Sequence, residues 1–194
     1  DSPNFESYHP EYFAQGLGKG KSSGKEIAGG YDASEKPPQL CYSNPAVVSQ
    51  AVADVRAYFD EGGYKKRFST INAPGMHWGE NNHAVEPMDN HGFCRCPDCV
   101  RQYHPERSAD RGEQSDYIFR FVKSVADEVA KTHPDKRLST LAYMSREGVP
   151  REVRLPDNVM VHFTFHGNRM PNDPLLEQQE GLLRKWRSEY PKKK

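Results

Sequence analysis

Residues 115–143 read SDYIFRFVKSVADEVAKTHPDKRLSTLAY, and this run decides the fold. Ile118, Phe121, Val122, Val125 and Val129 recur at helical spacing and make one apolar stripe. Residues 115–132 are therefore predicted as an amphipathic helix. His133-Pro134-Asp135 breaks it. Residues 138–143 (LSTLAY) follow as a short strand. A helix that feeds a strand across a short break is the repeating step of α/β architecture.

The same alternation extends in both directions. Downstream, residues 150–157 read as a polar connection, residues 159–165 (VMVHFTF) as a strand, and residues 174–190 as a helix carrying Leu175, Leu176, Leu182, Leu183 and Trp186. Upstream, Ser43-Asn44-Pro45 is a helix start, because Asn44 or Ser43 can cap and Pro45 suits the first helical position. Val48, Ala51, Val52, Val55 and Phe59 follow at helical spacing, and Gly62-Gly63 marks the stop. Residues 67–73 (RFSTINA) read as a strand ended by Pro74-Gly75. A further strand near Tyr12 is the remaining candidate. Parallel strands need helical crossovers. The expected class is α/β, a partial (β/α)8 TIM-type barrel. A closed barrel typically takes roughly 250 residues, so the 194 residues are expected to be the central portion of one barrel, with flanking strands absent. The ends look cut: the chain starts at Asp1 and stops at Lys194.

Composition excludes several classes. Lys plus Arg is 27 and Asp plus Glu is 27, so there is no excess charge to favour nucleic acid or anionic lipid. Apolar runs are too short to span a membrane. Aromatic residues at 11% are too many for a disordered polar chain. A mean hydropathy of −0.92 implies long loops on a modest core. The Gly/Lys/Ser-rich stretch 16–25 lacks the spacing, preceding strand and following helix of a phosphate loop.

The chemistry concentrates in residues 74–114, which show no periodicity and read as one long loop on the active-site side. They carry His77, Trp78, Glu80, Asn82, His83, Glu86, Asp89, Asn90 and His91, and then Cys94, Cys96 and Cys99. Thiolates at Cys-x-Cys-x-x-Cys spacing can converge on one soft metal ion. Zinc would want a fourth ligand, either Cys41 or one of His83, His91 and His104. Such a site is structural, since four protein ligands leave no open position. The alternative is a set of small buried thiols, or one disulfide with spare thiols. Glu80, Glu86 and Asp89 supply the carboxylates that glycoside hydrolysis uses, and Trp78 offers a flat face to a sugar ring. His162, Thr164 and His166 share one face of their strand and approach its end. Tyr143 closes the strand before it.

Several linked motifs resemble one family. They are HPEYFA (9–14), QLCYSNP (39–45), MDNHGFCRCPDC (88–99), YIFRFVKSVA (117–126), HPD (133–135), LAY (141–143) and LRKW (183–186). Together they resemble a bacterial family, long described as a domain of unknown function, that is tied to glycoside hydrolase family 163. The resemblance covers nearly the whole chain. It implies a (β/α)8 barrel related to α-glucuronidases and hexosaminidases. It implies an endo-acting β-N-acetylglucosaminidase on N-glycans, secreted to the periplasm or outside the cell. On this comparison Asp89 matches a motif residue, and the rest of the barrel is the chain's partner. Residues 74–87 intervene where typical relatives run almost directly from a strand into that Asp. The expectation is a hydrolase of β-linked glycans: Glu80 or Glu86 as proton donor, Asp89 as orienting or stabilising group, and His77, Trp78, Asn90, Tyr143, His162 and His166 around the substrate. No cofactor is expected for catalysis, and Cys41, Cys94, Cys96 and Cys99 are the expected ligands if a structural zinc is present. The rival expectations are a non-catalytic carbohydrate-binding barrel and a metal-stapled structural domain.

Overall fold

The computed structural model describes residues 9–16, 39–60, 80–89, 91–165 and 174–191. The predicted strand at 67–73, the glycine stop at 62–63, and His77, Trp78, Asn90 and His166 lie outside the described residues. The described helices are α1 (Pro45–Asp60), the single turn α2 (Pro97–Val100), α3 (Ser115–Ala130) and α4 (Pro174–Glu189). The strands are β1 (Asn82–Ala84), β2 (Arg137–Ala142) and β3 (Val159–Phe163). Short 3-10 turns occupy Pro10–Tyr12, Pro105–Asp110 and Met144–Arg146.

The strands form one parallel sheet in the order β1-β2-β3. The chain is thus mixed α/β, as its periodicity predicts. Asn44 caps α1 as expected, its Oδ1 accepting the Ala46 N–H at 2.9 Å. The stretch 74–114, expected as a loop, carries β1 at Asn82–Ala84 as well as α2 and the turn Pro105–Asp110. A parallel partner outweighs poor local propensity here: β1 pairs residue by residue with Arg137, Leu138 and Ser139 of β2. β1 also ends only a few residues before Asp89, so the chain does run from a strand almost directly into that residue.

The chain divides into two compact units, Asp1–Ala51 with Pro87–Gln102 (unit 1) and Val52–Glu86 with Tyr103–Lys194 (unit 2). Unit 2 holds the sheet. Its core joins Phe119 of α3, Ala142 of β2 and Trp186 of α4 to Val149, Val153 and Leu155, with Val159, Val161 and Phe163 of β3 packed against them. Phe119 meets Trp186 edge-on, ring centroids 5.3 Å apart. Each such side chain contributes about 1.5–3 kcal/mol on full burial. Residues 150–157, expected to be polar, bury Val153 and Leu155 instead. Arg107 is buried as well. It donates to Asp116 at 3.1 Å, to Asp110 at 3.0 Å and to the Val149 carbonyl at 2.8 Å. Its guanidinium lies so close to Gly112 that a Cβ there would collide with it.

Candidate active site and metal centre

In a parallel sheet every strand ends at the same edge, and side chains alternate between faces. Register pairs Leu138 with Val159, Thr140 with Val161 and Ala142 with Phe163. These residues make the face that carries the core. The other face holds Ala84, Ser139, Leu141, Met160 and His162. Asn82 reaches across it, donating to Ser139 Oγ at 3.1 Å.

The Val85 N–H still donates to the Ser139 carbonyl at 2.8 Å, so the alternation continues past β1. It brings Glu86 to the same face as His162, at the edge where the strands end. Glu86 is exposed as a residue, yet loss of water around its carboxyl raises its pKa above the ordinary value. The charges of Arg146 and His162 pull in the opposite direction. Arg146 is buried, and its guanidinium carbon lies 5.7 Å from the Tyr143 ring centroid. Between these two residues Met144 adopts a left-handed backbone, φ 53°. That conformation costs a side-chain-bearing residue roughly 1–2 kcal/mol, and such strain collects at functional sites. The Tyr143–Arg146 segment and Glu86 therefore make a charged sheet edge with a carboxyl poised to hold a proton longer than usual.

Other sequence-predicted residues fall elsewhere. Glu80 lies exposed in the turn that enters β1, at the opposite end of that strand from Glu86. Asp89 is exposed and belongs to unit 1. His83 packs edge-on against Tyr58, centroids 4.6 Å apart. His104 faces Glu106 at 3.2 Å, Glu152 at 3.5 Å and Asp116 at 3.6 Å. Arg146 escaped the sequence reading; its only signal was its place just beyond a strand end.

Unit 1 brings Cys41, Cys94, Cys96 and Cys99 together, with every Sγ within 4.8 Å of the others. Cys41 is 3.6 Å from Cys99 and 3.8 Å from Cys96. Four sulfurs each about 2.3 Å from a tetrahedral ion stand roughly 3.8 Å apart, so the spacing fits. None of the four is in a disulfide. The geometry has a local cause. Cys96 precedes α2, Pro97 opens that turn, and the Cys99 N–H donates to the Cys96 carbonyl at 3.1 Å, which folds the two thiols to one side. The Gln15 N–H donates to Cys94 Sγ at 3.3 Å, as an amide does to a thiolate ligand. Hydrogen bonds to Cys94 and Cys99 push the Cys41 thiol far up. At Cys94 the bond with Cys41 pulls down, but Cys99 and burial outweigh it and lift the thiol to about 11. Four sulfurs this close cannot all ionise alone; a cation would displace their protons. The four cysteines could hold a metal ion, and Cys41 is the fourth thiol of the set.

The chain belongs to the family described as domain of unknown function DUF4838, which matches residues 2–188. No curated protein and no solved structure matches it.

Proposed function

We propose, from DUF4838 membership and the charged sheet edge, that this domain is the central portion of a (β/α)8-barrel glycoside hydrolase acting on β-linked glycans. Glu86 is its proton donor. The observation that carries this reading is Glu86 itself: a carboxyl with a raised pKa at the strand ends of a parallel sheet, in the field of Arg146 and His162. A general acid must keep its proton near working pH, and partial burial is the usual way to achieve that. Catalytic groups of barrels sit at this edge. Strand order supports the barrel, since the described strands β1, β2 and β3 follow one another in the sheet as they do in sequence, as barrel strands do. The half-buried state of Leu141, Met160 and His162 suits a face that the rest of the barrel would cover.

Tyr143, Arg146 and His162 line the substrate side of this edge. The resemblance to glycoside hydrolase family 163 supplies the finer expectations: an N-glycan substrate cut as by an endo-β-N-acetylglucosaminidase, export from a bacterial cell, and Asp89 as the second group. Asp89 would stabilise the substrate or, in a substrate-assisted variant, steer its 2-acetamido group. The cysteine centre holds a structural zinc with no open position, so that ion takes no part in bond cleavage. A carbohydrate-binding barrel without catalysis is the alternative. It would retain glycan with no new reducing end. The deciding experiment compares reducing-end release by wild type, Glu86→Gln and Glu80→Gln. Loss of about a hundredfold or more in Glu86→Gln alone is expected. Equal rates in all three would remove Glu86 from the mechanism.

A further inference from the structure

We infer that the four-cysteine centre, loaded with one zinc ion, is the anchor that fixes the chain around Asp89. The inference rests on the structural-zinc reading and goes beyond it, because it assigns the ion a task at a candidate functional residue.

Gln39, two residues before Cys41, is fully buried. Its side-chain Nε2 donates to the Met88 carbonyl, and its Oε1 accepts the Met88 N–H at 2.9 Å. The Tyr42 hydroxyl donates to the same Oε1 at 2.8 Å and sets the amide's orientation. One side chain thus holds both backbone groups of the residue that precedes Asp89. On the far side of Asp89 the same segment supplies Cys94, Cys96 and Cys99. The 9–16 segment joins them: the Gln15 N–H donates to Cys94 Sγ, and the Gln15 carbonyl accepts the Arg95 N–H at 2.7 Å. Its own chain is tied to residues 39–41 by the Phe13–Leu40 bridge and by the Cys41 N–H to the Tyr12 carbonyl at 2.7 Å.

Three chain segments therefore converge on the sulfurs. Apart from the cysteines, the large apolar side chains buried among unit 1's described residues are Tyr42, Val47 and Phe93. A region this small ordinarily needs a disulfide or a metal, and the four thiols are free. With four thiolate ligands the ion has no place for substrate, so its contribution is positional. Without it, neutral thiols touch only weakly, and Cys41 and the 94–99 loop are left with the hydrogen bonds through the 9–16 segment and the one from Gln102 Nε2 to Ser43 Oγ at 2.7 Å. The Gln39 clamp on Met88 then loses the scaffold that keeps its two sides in register.

The test uses the full chain. Zinc is measured by elemental mass spectrometry. Amide exchange is followed in peptides covering 87–93 and 115–130 before chelation, after chelation, and after zinc is restored. One zinc per chain is expected. Its removal should speed exchange at Met88 by about tenfold or more while α3 stays protected, and reloading should restore protection. Gln39→Leu should keep the zinc and yet lose Met88 protection. Stoichiometric zinc whose removal leaves Met88 unchanged would overturn the anchor and leave the zinc reading intact. Loss of α3 protection to the same extent would also overturn the anchor, because the ion would then support the whole chain. Zinc-free protein with four reactive thiols would overturn the zinc reading and the anchor with it.

Discussion

The two units are held by different forces. Unit 2 packs Phe119, Ala142, Trp186 and the valines of β3 around one apolar cluster, and burial at about 1.5–3 kcal/mol per side chain is enough to order helices against a sheet. Among its described residues unit 1 buries Tyr42, Val47, Phe93 and three of the cysteines, to set against roughly 1–2 kcal/mol for each residue ordered. Among its described residues regular structure is slight: the turn Pro10–Tyr12, one isolated bridge, the turn α2 and the start of α1. On the zinc reading proposed above, sulfur ligation and the Gln39 amide carry more of the organisation of these residues than packing does. A chain can devote one region to stability through periodic apolar residues and fix another through a few polar atoms at defined distances.

The largest effect should come from Cys41→Ser. It removes the thiol through which the 39–45 segment would share a zinc ion with the 94–99 loop. Structural zinc in zinc-finger peptides is worth an apparent ~10–16 kcal/mol, so loss of metal and of ordered structure in unit 1 is expected. Elemental analysis and amide exchange read both. Phe119→Ala comes next. Emptying that site should cost unit 2 about 3–5 kcal/mol in a denaturant melt while zinc stoichiometry holds. If Phe119→Ala also released zinc, the contrast between the units would fail.

Glu86→Gln should change activity more than stability. A hundredfold loss of rate corresponds to about 2.7 kcal/mol of transition-state stabilisation. Its effect on folding has a definite sign. The carboxyl binds its proton more tightly folded than unfolded. Wild-type stability therefore falls as pH climbs from the ordinary Glu value through the raised one. Glu86→Gln has no such fall, so it should melt higher than wild type near neutrality and level with it in acid. The smallest effect belongs to Asn44→Ala, about 1 kcal/mol from the lost cap of α1, read as a shift in melting midpoint.

Much of unit 2 was legible because its apolar spacing is regular. The stripe of α3, the LSTLAY and VMVHF strands, and the leucines and Trp186 of α4 each announce an element. β1 did not. Three residues, Asn82, His83 and Ala84, carry no strand propensity, and what makes them a strand is their pairing with β2, a tertiary fact. The 149–155 connection hid for the same reason: Val149, Val153 and Leu155 pack into the core with no helical or strand period. In the candidate site the Cys-x-Cys-x-x-Cys spacing was readable. Spacing alone left the fourth residue open between Cys41 and the histidines; the expected Cys41 is the one the fold brings beside the other three, a closure from 41 to 94 that only tertiary structure makes. Spacing also could not separate Glu80 from Glu86. The direction of β1 does, because it leaves one carboxylate at each end of the strand.

The most direct test of the functional reading is a reducing-end assay of the full-length protein on a panel of N-glycans and other β-linked oligosaccharides, run across pH beside Glu86→Gln. The account predicts glycan release by the wild type, a rate that falls on the alkaline side as Glu86 gives up its proton, and loss of about a hundredfold or more in the variant. Glycan retained without any new reducing end, or a variant as active as wild type, would contradict it.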